Sequence, residues 1–296
     1  MSVTHHAPLV HEGHYDDDIY WKRVARNLGW LGDTDKQARE RQEKLRDTTV
    51  GVAGCGGIGG GMVERLARLG FLHLKIADPD TFEYSNINRQ LGAGFDTVGK
   101  NKAIVVGAAV HEMTPDVTIE VHPKGIAADT VDDFVTGCDY ILDEIEPYEF
   151  RARYALHRAF RRSADCQFML TGQVYGNRTF LWKWTRDSMS IEEMLGIPED
   201  SEMNPDTAER LMSRLIPERP GYPAEAMQRR WLVDEATCPI VPGAPPMSQG
   251  LLTERLMLAV TGIENEADSV RMPESPGYAM IDSRTWTAKM VHGVWW

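Results

Sequence analysis

The sequence predicts an α/β fold: a Rossmann-like, doubly wound and mostly parallel sheet that continues into antiparallel strands, with N-terminal helices and a helical insertion. Three observations carry this. Short apolar runs alternate with amphipathic stretches between residues 50 and 170. A glycine-rich turn (Gly54, Gly56, Gly57, Gly59) joins the apolar run 50–53 to a stretch with Ile58, Met62, Leu66 and Leu69 on one helical face. The next apolar run, 72–77, closes on Asp78-Pro79-Asp80. Strand, G-x-G-x-x-G, helix, strand and terminal acid form the βαβ dinucleotide-binding pattern. Glycines let the backbone approach a phosphate, and a helix N-terminus offers free N–H groups and positive potential. Asp78 stands where a carboxylate would accept hydrogen bonds from ribose hydroxyls.

Ahead of this motif, residues 1–18 are polar and predict a flexible tail. His5, His6, His11 and His14 fall in or beside it and read as solvated residues rather than a metal cluster. Residues 18–31 predict a helix carrying Trp21, Val24, Leu28 and Leu31 inward. A second, mostly charged helix follows from an N-cap at Thr34 to Leu45 and should lie on the surface. Residues 19–184 would form the nucleotide-binding core.

Beyond the motif, residues 102–113 predict a helix stopped by Pro115, and 117–121 a strand. A short helix over 129–136 and a buried strand over 140–142, ending at Asp143, come next. Residues 149–162 predict an amphipathic helix and 168–170 a strand. Residues 174–184 read as two short antiparallel strands. The segment 185–236 is a polar, proline-interrupted insertion with short helices near Ile191, Thr207 and Pro223. Residues 237–296 would complete the same domain with a proline-rich loop, an apolar helix over 247–260 and a late strand or hairpin over 278–291.

The 296 residues, 42% hydrophobic and 26% charged, have ordinary globular composition. A net charge of −12 argues against nonspecific nucleic-acid binding, which needs a basic surface. Four cysteines without a C-x-x-C pair predict a reducing, cytoplasmic setting and no zinc. Apolar runs are too short to span a bilayer, so no membrane partner is expected.

A plain NAD enzyme would account for the glycines and Asp78 but not for Asn86, Arg89, Gln90, Lys102 and the strand-end Asp143. Those residues lie in G-C-G-G-I-G (54–59), D-P-D-T-F-E (78–83), N-I-N-R-Q (86–90), T-V-G-K-N-K (97–102) and L-D (142–143). In that order they resemble the ThiF/MoeB/HesA adenylyltransferases, the bacterial form of the ubiquitin-activating superfamily. The resemblance covers residues 20–184 and 236–262.

It implies ATP and Mg²⁺ as cofactors and activation of a carboxylate as its acyl-adenylate, with release of pyrophosphate. The carboxylate would be the C-terminus of a ubiquitin-like sulfur carrier or of a peptide. Two anions must then approach each other, which calls for cations aimed at the phosphates. Arg89 and Lys102 would supply the charges, Asn86 and Gln90 hydrogen bonds, Asp143 the Mg²⁺ ligand, and Asp78 with nearby Asp80 the ribose contact. Homodimeric relatives reach the triphosphate with an arginine from the partner subunit, matched here by Arg26. Many relatives carry a cysteine on the crossover loop, matched by Cys238 in T-C-P-I-V-P; packing is its ordinary alternative. Cys55, Cys138 and Cys166 read as packing residues.

Two departures stand out. Relatives that bind zinc have two C-x-x-C pairs, which this chain lacks. The usual D-x-x-D-N reads Asp143-Glu144-Ile145-Glu146-Pro147, so a proline replaces an amide side chain and a backbone donor. An NAD(P)-dependent oxidoreductase, a relative acting on a tRNA-linked carboxylate, and a scaffold that has lost chemistry are the alternatives.

Overall fold

The computed structural model describes residues 7–235 and 237–296. Its centre is a nine-stranded sheet. The chain enters through β1 (Leu9–His11), α1 (Asp17–Leu28) and α2 (Asp35–Asp47), then runs β2 (Thr49–Ala53), α3 (Gly59–Leu69) and β3 (His73–Ala77). It continues through α4 (Lys102–Met113), β4 (Thr118–His122), α5 (Val131–Val135), β5 (Tyr140–Asp143), α6 (Phe150–Arg162) and the hairpin β6 (Phe168–Tyr175) and β7 (Arg178–Trp184). The insertion contributes α7 (Ile191–Leu195), α8 (Pro205–Leu215) and α9 (Glu225–Arg229). Last come α10 (Ala244–Thr261), β8 (Tyr278–Asp282) and β9 (Thr287–Val291).

The strand order is β1-β4-β3-β2-β5-β6-β7-β8-β9. Strands β4, β3, β2, β5 and β6 pair in parallel, while β1 and β7 to β9 add antiparallel edges. Each face has its own core. Val50 and Val52 pack with α3, α4 and α10 residues such as Met62, Val106 and Leu252 on one side. Ile141 and Met169 pack with Phe134, Leu156 and Phe160 of α5 and α6 on the other. This two-sided burial is the doubly wound arrangement expected from the alternating pattern.

The three short strands expected over 168–170 and 174–184 are two, because β6 runs unbroken to Tyr175 and turns directly into β7; the other predicted elements recur with ends shifted by a few residues, and three further differences stand out. First, the expected N-terminal tail is partly sheet: Leu9–His11 pairs antiparallel with β4, and Gly13 N–H donates to Thr118 Oγ1 at 3.0 Å. The β4 edge supplies the hydrogen bonds, which no local pattern in residues 9–11 advertises. His11 stacks on His111 with ring centroids 5.3 Å apart; His5 and His6 lie outside the described residues. Second, the charged α2 is not merely a surface helix. Gln42 is fully buried, donating to Tyr20 Oη and the Leu69 carbonyl and accepting from Asn27 Nδ2. Third, α10 starts earlier than expected and takes Pro245 and Pro246 into its first turn. There a missing N–H costs little, since it would have no helical partner. No helix is long and apolar enough to cross a membrane among the described residues.

Candidate active site

The strand order reverses at β2, so the loops after β2 and β5 open side by side at one edge of the sheet. Open α/β sheets bind ligands at this switch point. A cleft of about 330 Å³ lies here, lined by the glycine turn, the 78–80 loop, Lys102 and the segment after β5.

Each part of the glycine turn has a distinct task. Gly54 has φ +100°, and a Cβ on it would stand 2.3 Å from the Glu144 carbonyl. A Cβ on Gly59 would fall 1.8 Å from the Gly54 carbonyl, so the turn closes only without one. Gly56 instead meets nothing nearer than 3.9 Å and leaves its backbone bare toward the cleft. Helix α3 then begins without a capping side chain.

Asp78 is held more tightly than a ribose ligand alone requires. Its Oδ2 accepts the Cys55 N–H at 2.6 Å and its Oδ1 the Asp80 N–H at 2.8 Å, locking the glycine turn to the end of β3. Burial raises its pKa, against those N–H groups and the Lys102 charge. Asp80 is half open to solvent and pairs with Lys102 Nζ at 2.9 Å. Asp80, rather than Asp78, therefore presents the less committed carboxylate to the cleft.

The N-I-N-R-Q segment forms a tight turn whose members do different things. Asn86 caps it, its Oδ1 accepting the Glu83 N–H at 2.9 Å, so its geometry is that of a turn former. Arg89 Nη1 donates to the Ser85 carbonyl at 3.1 Å and Asn88 Oδ1 at 2.9 Å, while its Nε is buried without a partner. Gln90 is buried, with Oε1 unpartnered. Arg89 and Gln90 line a narrow slot of about 70 Å³ with Gly56, Gly57, Glu146 and Ile240. The residue overlooked in the sequence is Asn88, whose Nδ2 donates to the Ile240 carbonyl at 3.0 Å and ties this turn to the crossover loop. Its signal was present as the second asparagine of the motif.

Asp143, the expected Mg²⁺ ligand, lines neither cleft nor slot. Asp143 is 0% exposed and lies beneath the cleft, where Oδ2 accepts Arg153 Nε at 2.9 Å and faces His157 Nε2 at 3.0 Å. Burial would raise its pKa, but Arg153 and the His157 contact outweigh it and hold it below the usual carboxylate range. Its Oδ2 is engaged by Arg153 and His157 rather than turned to the cleft. Its neighbours replace it at the surface. Glu144 lines both cleft and slot, accepts the Gly172 N–H at 2.9 Å, and is driven well above its ordinary pKa by burial. Glu146 also lines both. Desolvation by the cleft walls raises its pKa, against Lys102 and Arg89 and with the added repulsion of Asp80 and Asp78.

Those mutually repelling carboxylates suit a cation. No three His, Cys, Asp or Glu side chains converge as a ready-made cage among the described residues. Mg²⁺ needs only one or two carboxylates when substrate phosphates complete its shell, and Glu146, which lines both openings, has the chemistry of such a donor.

The remaining candidates line neither cleft nor slot. Arg26 is exposed on α1 and lines neither cleft nor slot within one chain. Cys238 is half-buried on the crossover loop, its thiol pushed up to about 11 by burial and then by Glu146. That shift works against the thiolate that nucleophilic capture needs. Cys55, Cys138 and Cys166 are buried.

The buried pair sets a pH response. The unfolded chain frees Asp143 and His157 to ordinary values near 3.9 and 6.5. His157 is depressed by burial, so protons bind it more readily in the unfolded chain and stability falls as pH drops below about 6.5. Asp143 is also depressed, so its contribution is complete above about pH 4 and is lost as pH falls through its lower folded value. Chemical denaturation between pH 7.5 and 4 should give a falling unfolding free energy, and His157→Gln should flatten the part between 6.5 and 5.

Residues 25–215 of this chain match the ThiF family. The chain belongs to that family. It is 36% identical over 136 residues to the tRNA threonylcarbamoyladenosine dehydratase of Haemophilus influenzae, a match covering 46% of this chain and 50% of the relative. It is 33% identical over 127 residues to the SAMP-activating enzyme E1 of Haloferax volcanii, covering 43% and 46%. The chain thus spans about half the length of these curated relatives. The fold matches that of E. coli MccB crystallised with ATP, with a TM-score of 0.64 and 16% identity over 91% of this chain and 71% of MccB. ThiF-family membership agrees with the resemblance carried by the motifs around Arg89 and Lys102.

Proposed function

We propose that this protein is an ATP-dependent adenylyltransferase that joins a carboxylate to AMP and releases pyrophosphate. The substrate would be the C-terminal carboxylate of a small ubiquitin-like or sulfur carrier, or of a peptide. The observation that carries the reading is Arg89: a guanidinium at the mouth of the slot, bonded only to neutral oxygens and beside Gly57 of the phosphate-binding turn. A cation there that forms no direct ion pair keeps its N–H groups free of a carboxylate and can meet an anionic ligand.

In this reading ATP lies in the cleft over the glycine turn, its ribose toward Asp80 and its phosphates between Lys102 and Arg89. The substrate carboxylate enters the slot and attacks the α-phosphorus; the bond to the bridging oxygen breaks and pyrophosphate leaves. Arg89 and Lys102 would offset the growing negative charge, and Gln90 would orient an oxygen with its amide. Mg²⁺, held by Glu146 and the phosphates, would add charge stabilisation. The acids of the cleft would repel a carboxylate unless those cations are in place, which makes the chemistry depend on them. Among relatives, MccB has been crystallised with MccA-N7isoASN, a likeness in fold that allows for a peptide-type substrate. Homodimerisation, with Arg26 reaching the partner's site, and a cytoplasmic setting belong to the same reading.

The test is ATP–pyrophosphate exchange with Mg²⁺ against carriers with Gly-Gly tails and against short peptides. Exchange that requires one such carboxylate and is lost in Glu146→Gln is the expected result. Tight binding of NAD in preference to ATP, or no exchange with any carboxylate, would reject the reading.

A further inference from the structure

A second pocket, of about 240 Å³, lies where the insertion meets the crossover loop. Its wall is aromatic and proline-rich, formed by Tyr175, Tyr222, Trp231, Pro223, Pro239 and Val241, and none of its lining residues carries an acidic or basic side chain. Two polar atoms in this lining have no partner: Tyr175 Oη and Gln228 Oε1. Both residues are only 4% exposed. A buried polar atom without a hydrogen bond carries a desolvation cost that a bound N–H or O–H group would remove.

The pocket is built rather than incidental. Gln228 Nε2 donates to the carbonyls of Pro220 at 2.8 Å and Pro223 at 2.6 Å, pinning the loop that forms one wall. The Tyr222 ring is covered by the Arg284 guanidinium at 4.7 Å. Thr237 N–H donates to the Trp231 carbonyl at 2.8 Å, joining the crossover loop to the insertion.

The pocket also adjoins the slot. Ile240 lines both, and its carbonyl is held by Asn88, the neighbour of Arg89. We propose that this pocket is a side-chain subsite for the acyl substrate, taking an apolar or aromatic residue from the peptide segment whose terminal carboxylate occupies the slot. The inference rests on the adenylation reading for the position of the carboxylate. The shared wall at Ile240 puts the subsite within a few residues of the terminus, each residue of an extended chain advancing about 3.4 Å. An uncharged wall selects an uncharged side chain, and the unpartnered oxygen of Gln228 accepts a backbone N–H of the same segment. A bare Gly-Gly tail would leave the pocket unfilled.

The experiment uses the full chain with a non-hydrolysable ATP analogue and dye-labelled pentapeptides ending in a free carboxylate. One series places Phe second, third or fourth from the end in a glycine background; an all-glycine peptide and an Asp series are the comparators. Fluorescence anisotropy should show one Phe register binding roughly tenfold to a hundredfold tighter than all-glycine, with Asp no better than glycine. Val241→Asp and Trp231→Ala should each remove that preference, and ATP affinity measured on the same samples reports that the variants are folded. Equal affinity for Phe and glycine peptides, no binding by any peptide, or a preference that survives both substitutions would overturn the subsite. Pyrophosphate exchange on the same peptides separates the two proposals. A Phe preference without exchange keeps the subsite and rejects adenylation of peptides, whereas exchange without a preference does the reverse.

Discussion

Replacing Arg89 by alanine should lower ATP–pyrophosphate exchange by roughly a hundredfold to a thousandfold, the usual consequence of removing one group aimed at developing charge in a shielded site. The protein should remain folded. Arg89 bonds to the Ser85 carbonyl and the Asn88 side chain, not to an acid, so truncation strands no buried carboxylate. Its melting temperature should therefore stay near that of the parent, and the loss should be in chemistry. Lysine should restore little, because a point charge on a flexible stem does not reproduce the planar fork. Substrate-dependent exchange in the parent and in Arg89→Ala, with thermal melting of each, is the measurement. Unchanged exchange in a folded Arg89→Ala protein would remove the main support for the adenylation reading.

Replacing Asp143 by alanine should instead damage the fold. The carboxylate is wholly enclosed with Arg153, whose Nη1 already has no partner, and with His157, whose ring meets Trp184 edge-on at 4.8 Å. Removing one member of such a pair leaves an uncompensated buried charge, a loss of about 3–5 kcal/mol. For a chain of this size that lowers the melting temperature on the order of 10 °C. Asp143→Asn keeps the shape but not the charge and should be nearly as destabilising. The discriminating readout is Mg²⁺ dependence: the fraction of Asp143→Asn that folds should need the same Mg²⁺ concentration as the parent. A folded, fully stable variant that had lost only its Mg²⁺ requirement would restore Asp143 as a metal ligand.

The contrast between these two residues shows where sequence was informative. The glycine turn was legible because its demands are local. A positive φ at Gly54 and the contact of Gly59 with the Gly54 carbonyl arise within six residues, and they restrict which residues can stand there. The strand before it, the α3 face carrying Met62 and Leu66, and the acid at the end of β3 were legible for the same reason: hydrophobic period and turn chemistry are written in adjacent residues. Arg89 and Lys102 could be named from their motifs, but not the partners they would have.

Which acid of Asp143-Glu144-Ile145-Glu146 faces the cleft was not legible. The three acidic positions are alike in local pattern, and the outcome depends on how β5 aligns with β2, where Asp143 stands opposite Ala53. That alignment turns Asp143 toward Arg153 and His157 of α6, while the chain leaving the strand brings Glu144 and Glu146 to the openings. The same limit hid the β1 edge, whose pairing partner is more than a hundred residues away. It also hid the second pocket, whose walls come from residues 175–177, 220–231 and 238–241.

The sequence by itself determined the architecture, the phosphate-binding turn and the set of charged residues at hand, because backbone preference and hydrophobic period act over a few residues. The tertiary structure alone decided which carboxylate is buried with a counter-charge, which neutral oxygens hold the Arg89 guanidinium, and which distant loops enclose a pocket. Burial and charge pairing depend on elements far apart in the chain, and a residue's chemistry follows from them.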